Sequence, residues 1–296
     1  MRTDRADDKR KIDEVTGTPT TGHSWDDIGE LDTPLPRWWL WIFYATIAWS
    51  ILYWVFYPSW PLISSYTRGA FGWASRSAVA TELADLKTLR APMVDRLAAA
   101  KLDQIMADPQ LLDFARAQGR VTFRDNCAAC HGAGGGGAPG YPNLNDDDWL
   151  HGGKIEQIAD TIRHGSHADD DKRHLTKMPA FGRDGMLKRA EIDTVADYVR
   201  SLSGLAVDPK ADLAGGKKIF AETCATCHGP EGKGDRKNGA PNLTDAIWLY
   251  GSDKPTIVDG LWNGRGGVMP AWAGRLDETA IKAVAVYVFT LGGGER

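Results

Sequence analysis

All four cysteines of this 296-residue chain lie in two copies of one short motif. The copies are CAACH at residues 127–131 and CATCH at residues 224–228. C-x-x-C-H is the attachment pattern of c-type haem, in which each thiol bonds a haem vinyl group and the histidine gives iron a nitrogen ligand. Two copies that use every cysteine predict two covalently bound haem c groups, and therefore an electron carrier.

Other uses of the cysteines explain less of the pattern. A thioredoxin-like dithiol works beside a βαβ unit and does not need the histidine that follows. A four-thiolate zinc site would need the two pairs closer together and would leave both histidines unexplained. Structural disulfides would need no repeated spacing. Haem attachment is therefore the preferred interpretation.

Residues 38–57 carry no charged side chain and read WWLWIFYATIAWSILYWVFY. As a helix this stretch would be roughly 30 Å long, about the thickness of the hydrocarbon core of a bilayer. More than half of the 12 tryptophans lie between residues 38 and 73, and tryptophan collects at membrane interfaces. A buried core helix or a signal peptide is the alternative, but no small-residue cleavage site follows directly. We predict an uncleaved transmembrane helix.

The charges on the two sides of this helix predict its orientation. The stretch just after the helix offers only Arg68 and Arg76 as cations. The preceding stretch is richer, with Arg2, Arg5, Lys9, Arg10, Lys11 and Arg37. The positive-inside bias therefore favours a cytoplasmic N-terminus. Covalent haem attachment resembles what bacteria do outside the inner membrane, so we expect a single-pass inner-membrane protein with both motifs in the periplasm.

The chain beyond the membrane helix contains a duplication. A glycine (Gly119, Gly216) and a phenylalanine (Phe123, Phe220) precede both motifs at the same spacing, and the glycines would permit close helix approach. Pro-Asn-Leu, Trp-Leu and Met-Pro-Ala-aromatic sequences also occur once in each copy. The predicted segments are a charged cytoplasmic tail (1–37), the transmembrane helix (38–57), a partly helical periplasmic connector (58–108), a first cytochrome c domain (109–204), a linker (205–212) and a second cytochrome c domain (213–296).

Each copy is expected to be mostly helical. Asp108 and Pro109 form an N-cap and first-turn pair that begins a helix running to about Asn126. Apolar residues at helical spacing mark the last helix of each copy, around Tyr198 and Tyr287. That layout resembles the class I cytochrome c fold, in which the first and last helices cross beside a largely buried haem. The predicted fold class is mostly α, with one N-terminal transmembrane helix followed by two class I cytochrome c-like domains.

Methionine is the expected second axial ligand of each iron. Met178 and Met269 occupy equivalent places in the two copies, and we expect each to serve the haem of its own copy. The proline after each methionine fixes the local chain, and a methionine ligand raises the reduction potential. The predicted iron ligands are His131, Met178, His228 and Met269. The predicted attachment residues are Cys127, Cys130, Cys224 and Cys227.

Two alternatives exist for these methionines. They could fill gaps in the core, which is the commoner use of methionine. A histidine could also take the place of Met178, because the first copy holds four further histidines: His151, His164, His167 and His174. The second copy has no histidine besides His228, so ligation by two histidines is not available from within it.

Further features of the two copies have weaker implications. Trp149 and Trp248 are expected near a haem edge or its propionates, or in the plain core. The runs Asp146–Asp148 and Asp169–Asp171 could steer a basic cytochrome towards the protein, although charge runs are usually only solvated. The net charge of −4 indicates no general affinity for nucleic acid.

The entry into the membrane is the most specific feature of the chain. The run WDDIGELDTPLPRWW at residues 25–39 closely resembles the N-terminal signature of CcoP/FixP, the dihaem subunit of cbb3-type cytochrome c oxidase. The sequence YPSWP at residues 57–61 fits the same family. The resemblance extends over nearly the whole chain, from the tail and anchor to the connector and two cytochrome c domains.

The resemblance implies a place in aerobic respiration. The subunit would take electrons from a periplasmic cytochrome c or from the quinol-oxidising complex. It would relay them through a monohaem cytochrome c subunit to the haem–copper catalytic subunit, where oxygen is reduced with proton pumping. No oxygen-reducing site is expected on this chain itself. The alternatives are a tethered dihaem shuttle serving another reductase and, more remotely, a dihaem peroxidase, which would bind carbon monoxide at an open iron.

Overall fold

A computed structural model describes residues 11–26 and 28–295 of the chain. Residues 1–10 of the predicted tail, Asp27 and Arg296 lie outside the described residues. The chain divides into two compact units, Met1–Thr88 and Leu89–Arg296. Helix predominates in both units, which confirms the mostly α fold class.

The first unit begins with a hairpin inside the predicted charged tail. Strand β1 (Thr20–Trp25) pairs antiparallel with strand β2 (Ile28–Leu31), and Thr20 lies opposite Leu31. The side chains of β2 are all exposed, so the hairpin has no buried face on that strand. These strands are not predicted from the sequence, because the alternation of apolar and polar residues that usually signals a strand is missing.

Helix α1 (Arg37–Phe56) coincides with the predicted transmembrane helix. None of its residues is buried, and its mean hydropathy of 1.5 and its length are sufficient to cross a membrane. The helix ends because Tyr57 is extended, the conformation favoured before a proline. The chain then folds back, and the backbone N–H of Ala70 donates to the Val55 carbonyl at 2.8 Å, which satisfies one of the carbonyls left free at the helix end.

The predicted connector is helical. Helix α2 (Ser75–Ala99) runs from the first unit into the second and is followed by helix α3 (Leu102–Ala107). Asp108 then caps the next helix, since its side chain accepts hydrogen bonds from the backbone N–H groups of Gln110 and Leu111 at 3.0 and 3.1 Å. This confirms the predicted N-cap.

The remaining helices of the second unit belong to the two sequence copies. The first copy contributes α4 (Pro109–Asn126), α5 (Ala128–His131), α6 (Ile155–His164) and α7 (Arg189–Leu202). The second copy contributes α8 (Leu213–Ile219), a π-helical turn (Phe220–Cys224), α9 (Ala225–His228), α10 (Lys254–Asn263) and α11 (Glu278–Phe289).

The crossing helices come from different copies. The first helix of the first copy, α4, packs against α11, the last helix of the second copy. In the same way, α8 of the second copy packs against α7 of the first. The expectation that the first and last helices of one copy cross each other is therefore wrong. The apolar stripes of α7 and α11 are alike, so either stripe offers a suitable face to either first helix.

Glycine makes both crossings possible. A Cβ on Gly119 would lie 2.1 Å from the carbonyl oxygen of Ala283 in α11. A Cβ on Gly216 would lie 2.6 Å from the Cβ of Tyr198 in α7. The predicted role of these glycines in close helix approach is confirmed, although the helix approached belongs to the other copy in each case.

The two main cores likewise combine residues of both copies. One core contains Phe123 and Ile158 of the first copy with Ile281 and Val284 of the second. The other contains Val195 of the first copy together with residues of the second, including Phe220, Val258 and Leu261. Each copy thus contributes to both cores.

Candidate functional site

The two C-x-x-C-H motifs lie on the short helices α5 and α9, each directly behind the first helix of its copy. Cys224 is buried, Cys127 and Cys227 are half-buried and Cys130 is exposed. None of these four cysteines, all within the described residues, is in a disulfide. Burial, with a smaller effect of the neighbouring thiol, raises the pKa of Cys127 and of Cys224 to about 11. The first thiol of each motif therefore favours its uncharged form at neutral pH.

The motif histidines are held in one tautomer. The Nδ1 atom of His131 lies 3.0 Å from the carbonyl oxygen of Pro142, and Nδ1 of His228 lies 3.0 Å from that of Pro241. A carbonyl can only accept, so Nδ1 carries the hydrogen and Nε2 keeps its lone pair for a metal. Burial lowers the pKa of His228, against the opposing effect of its bond to Pro241, and so favours the neutral ring that a metal requires.

Each candidate methionine packs beside the motif of the other copy. Met269 contacts the core that contains Phe123, with Cys127 beside it. Met178 contacts the core that contains Phe220 and Cys224. This packing differs from the expectation that each methionine lies beside the motif of its own copy. The reason is the exchange of helices, because the methionine loops precede α7 and α11 and follow them to the opposite copy.

Short backbone bridges fix both methionine loops. Met269 exchanges two backbone hydrogen bonds with Ser166, both of 2.9 Å. Met178 exchanges two with Arg265, of 3.0 and 3.2 Å. Each bridge joins a methionine to the residue just beyond the end of α6 or α10, in the other copy. The backbone of each methionine is thus held in place by a residue of the other copy.

Two glycines beyond those singled out in the sequence make these bridges possible. Gly165 and Gly264 end α6 and α10 with φ of 72° and 76°, in the left-handed region. A Cβ on Gly165 would lie 2.3 Å from the carbonyl oxygen of Met269, and a Cβ on Gly264 would lie 2.7 Å from that of Met178. The available signal was a glycine directly after an apolar helical stretch in each copy, which is a helix C-terminal signature.

The rival histidines of the first copy have other partners. His151 and His174 stack with ring centroids 3.6 Å apart. His164 bonds through Nδ1 to Asp170 at 3.1 Å. His167 has a backbone carbonyl at each ring nitrogen. Burial, followed by the nearby His174 and His167, lowers the pKa of His151 to about 4, so this ring is neutral at pH 7.

A cavity of about 650 Å³ lies in the second unit and is lined by both motifs and both methionines. In the described part of the chain, two buried side-chain nitrogens lack a hydrogen-bond partner, His151 Nδ1 and Trp248 Nε1. Both line this cavity, and haem propionates are carboxylate acceptors of the kind that such groups need. Trp149, the counterpart of Trp248, donates instead to the Gly293 carbonyl at 2.6 Å. The residues present therefore fit haem.

Asp148 lies at the edge of the cavity, near carboxylates of both copies. Burial and the charges of Asp245 and Asp146 raise the pKa of Asp148 to about 6, and Arg236 lowers it. Burial also raises the pKa of Asp146. In the second acidic run, Asp170 accepts a hydrogen bond from the Lys172 backbone N–H and faces His164, whereas Asp169 and Asp171 are exposed.

Three segments of the chain match known protein families. Residues 17–64 match the model of the N-terminal domain of cytochrome oxidase-cbb3, FixP, and residues 116–203 match cytochrome c. Residues 211–288 match cytochrome C oxidase, cbb3-type, subunit III. The two cytochrome c matches mean that the chain carries two covalent haem c groups, and the N-terminal match makes α1 a membrane anchor.

Full-length relatives are also similar. The chain is 58% identical to a Cbb3-type cytochrome c oxidase subunit FixP of Bradyrhizobium sp. (strain ORS 278), over 97% of this chain and 99% of the relative. It is 57% identical to the FixP subunit of Azorhizobium caulinodans over the full length of both. It is 50% identical to the CcoP subunit of Azospirillum sp. (strain B510), over 96% of this chain and 98% of the relative. With its two haem motifs and its membrane anchor, the chain belongs to the FixP/CcoP family of cbb3-type cytochrome c oxidase subunits.

Proposed function

We propose that this chain is the electron-entry subunit of a cbb3-type oxidase. It takes electrons from a periplasmic cytochrome c or from the quinol-oxidising complex and passes them, through a monohaem cytochrome c subunit, to the haem–copper subunit that reduces oxygen. Membership of the family makes it an electron-transfer subunit that works in complex with other oxidase subunits. The observation that carries the proposal is the cavity that both haem motifs and both methionines line.

In this proposal Cys127 and Cys130 attach the first haem and Cys224 and Cys227 attach the second. The axial pairs cross between copies: His131 works with Met269, and His228 works with Met178. The packing of each methionine against the opposite motif supports this assignment. The hydrogen bonds from Nδ1 of both histidines to proline carbonyls support the assignment of His131 and His228 as iron ligands.

The haem groups, when bound, supply the one-electron redox chemistry. The chain contributes placement, orientation and exclusion of water. The bond of each histidine to a proline carbonyl holds the imidazole ring in the orientation that directs Nε2 into the cavity. Buried apolar residues such as Phe123 and Phe220 keep water away, which affects the reduction potential. The orphaned nitrogens of His151 and Trp248 are available to propionates.

The same proposal places the haem domains in the periplasm and the N-terminus in the cytoplasm. The support is the excess of lysine and arginine before α1 compared with the stretch that follows it. Access of a membrane-impermeant label to a cysteine introduced at Ser59, in spheroplasts, tests this orientation. Labelling only after membrane disruption would contradict it.

Crossed ligation is tested by replacing one methionine at a time with leucine, which has a similar volume and no sulfur. A chain carrying Cys127→Ala and Cys130→Ala keeps only the second haem. In that background, Met178→Leu should lower the reduction potential and abolish the methionine–iron charge-transfer band of the oxidised protein. Met269→Leu should leave both properties unchanged.

The mirror experiment keeps only the first haem, through Cys224→Ala and Cys227→Ala, and reverses the roles of the two methionines. Met186→Leu is the matched control, because Met186 is an exposed methionine outside both sites. Sensitivity to the methionine of the same copy would disprove the crossing. Insensitivity to both would disprove methionine ligation altogether.

Purification of the tagged chain from its own membranes in mild detergent tests the complex. We expect a haem-b/copper subunit and a monohaem cytochrome c to accompany it, with oxygen uptake. An intact dihaem chain recovered alone, without oxidase activity, would support a tethered shuttle instead.

A further inference from the structure

A single histidine lies between the two methionine loops. His167 donates through Nδ1 to the Gly267 carbonyl at 2.6 Å and faces the Thr176 carbonyl with Nε2 at 3.0 Å. Thr176 is two residues before Met178, and Gly267 is two residues before Met269. The ring therefore contacts the same point of both loops.

The two carbonyls are equivalent but the histidine is not duplicated. Gly165 and Ser166 after α6 correspond to Gly264 and Arg265 after α10, because each pair begins with the terminating glycine and bridges a methionine. The counterpart of His167 is then Gly266, which has no side chain. One imidazole thus faces two symmetry-related carbonyls, and the equivalent position of the second copy carries no side chain.

The backbone of His167 adopts a conformation that is unfavourable for a residue other than glycine, and this conformation places the ring between the two loops. Its φ is 52°, and only one other non-glycine residue in the described part of the chain, Asp26, has a positive φ. Such a conformation persists where the surroundings impose it. Here the backbone N–H of His167 donates to the His174 carbonyl at 2.8 Å, and both ends of the ring have partners. The conformation is what directs the ring between the loops.

We propose that His167 is a positioning residue that ties the two methionine loops together and thereby couples the two haem sites. The inference rests on the proposed methionine ligation. The ring lies within hydrogen-bond distance of both loops at once, with one carbonyl at each nitrogen. Losing the ring removes one contact from each loop, which then keeps only its backbone bridge, and each methionine would hold its iron less firmly.

The test is His167→Ala, introduced into full-length chains that are purified with their complex. In the two single-haem backgrounds described above, we expect each remaining haem to lose part of its methionine–iron charge-transfer band and to shift to a lower reduction potential. His167→Gln should restore much of both, because one amide NH₂ group can donate to two carbonyls. His167→Asn, which tolerates the positive φ but is short, should behave like alanine and covers the possibility that alanine fails to fold.

His164→Asn is the matched control, because His164 bonds Asp170 and not a methionine loop. It should leave both bands unchanged. An effect of the His167 variants on only one haem, on neither, or no larger than that of His164→Asn, would overturn the coupling. Failure of the methionine variants themselves would instead overturn the proposed ligation, so the two failures are distinguishable.

Discussion

The carboxylate of Asp148 lies in an environment that disfavours its charge. It is half-buried at the cavity edge, and the charges of Asp146 and Asp245 oppose it, so its pKa rises to about 6. A carboxyl whose pKa is raised by folding contributes stability that is complete below its ordinary pKa and lost as the pH rises through the raised value. Above about pH 6 the folded protein therefore carries an unfavourable charge at this position.

Asp148→Asn should remove this cost. We expect the melting temperature at about pH 8 to rise by roughly 2–4 °C, after discounting for solvent screening, and to rise by clearly less at about pH 4.5. Thermal unfolding of the detergent-solubilised chain at both pH values measures it. Asp147→Asn, on the exposed neighbour, is the control and should give a smaller rise. An equal gain at both pH values would show that charge is not the cause.

At the residue scale, the sequence predicted which residue types carry the chemistry better than it predicted their hydrogen-bond partners. The haem motifs, the methionines and the two packing glycines could be identified because each residue type has a restricted use. The bonds of His131 and His228 to proline carbonyls, and those of His167 to two loops, could not be predicted. Each depends on a carbonyl whose position is fixed only after the loops have folded.

Of the two helix crossings that depend on a glycine, the contact of α4 with α11 at Gly119 leaves less room for a side chain than that of α8 with α7 at Gly216. At Gly119 an added methyl group would lie within 2.1 Å of a backbone oxygen, which cannot move aside as a flexible side chain would. The two helices must then separate along part of their contact. The apolar core around Phe123 and Ile281 would loosen in consequence.

Gly119→Ala should therefore destabilise the protein by about 1–3 kcal/mol, the usual cost of overpacking, despite the higher helix propensity of alanine. Denaturant unfolding followed by haem absorbance measures it. Gly134→Ala provides the comparison, since a Cβ there meets nothing within 4 Å, and should change stability by no more than about 0.5 kcal/mol. Equal effects of the two variants would contradict the conclusion that the missing side chain of Gly119 allows α4 and α11 to pack closely.

The elements themselves were largely predictable and their pairing was not. The cap at Asp108, helix α4, helix α1 and the helical connector follow from capping residues and apolar periodicity, which are local properties. Periodicity shows which face of a helix is apolar, but it does not show what covers that face. With two similar copies present, the exchange of α7 and α11 was therefore outside what the sequence could decide.

Considered as a whole, the second unit is held together by contacts that cross between copies. Beyond the helix pairs, the guanidinium of Arg163 contacts the carboxylate of Glu278 at 2.6 Å. The backbone N–H of Gly140 donates to the Leu249 carbonyl at 2.7 Å. The predicted linker at 205–212 is therefore a small part of what joins the two cytochrome c segments.

Cutting that linker should leave the unit intact. With a protease site inserted between residues 205 and 212, we expect the cleaved chain to elute as one species in detergent, with unchanged haem spectra. The two pieces should separate only in denaturant, where a gel stained for haem shows both. Elution of a free C-terminal haem fragment under native conditions would show that the copies behave as independent domains.

The family, the anchor and the two haems were predictable at this scale because their sequence patterns are specific, and the comparisons confirmed them. The segment boundaries 109–204 and 213–296 remain predictions of where the copies begin and end. They do not describe the packing of the second unit, because each core takes residues from both segments.

The exchange of helices has a consequence for how such a gene can evolve. Where duplicated domains fold separately, a lineage can lose one and keep the other in working order. Here the loss of either copy by deletion would remove a crossing helix and a methionine loop from the site that survives. Selection would then act on the pair as one heritable unit, and the number of copies would stay at two.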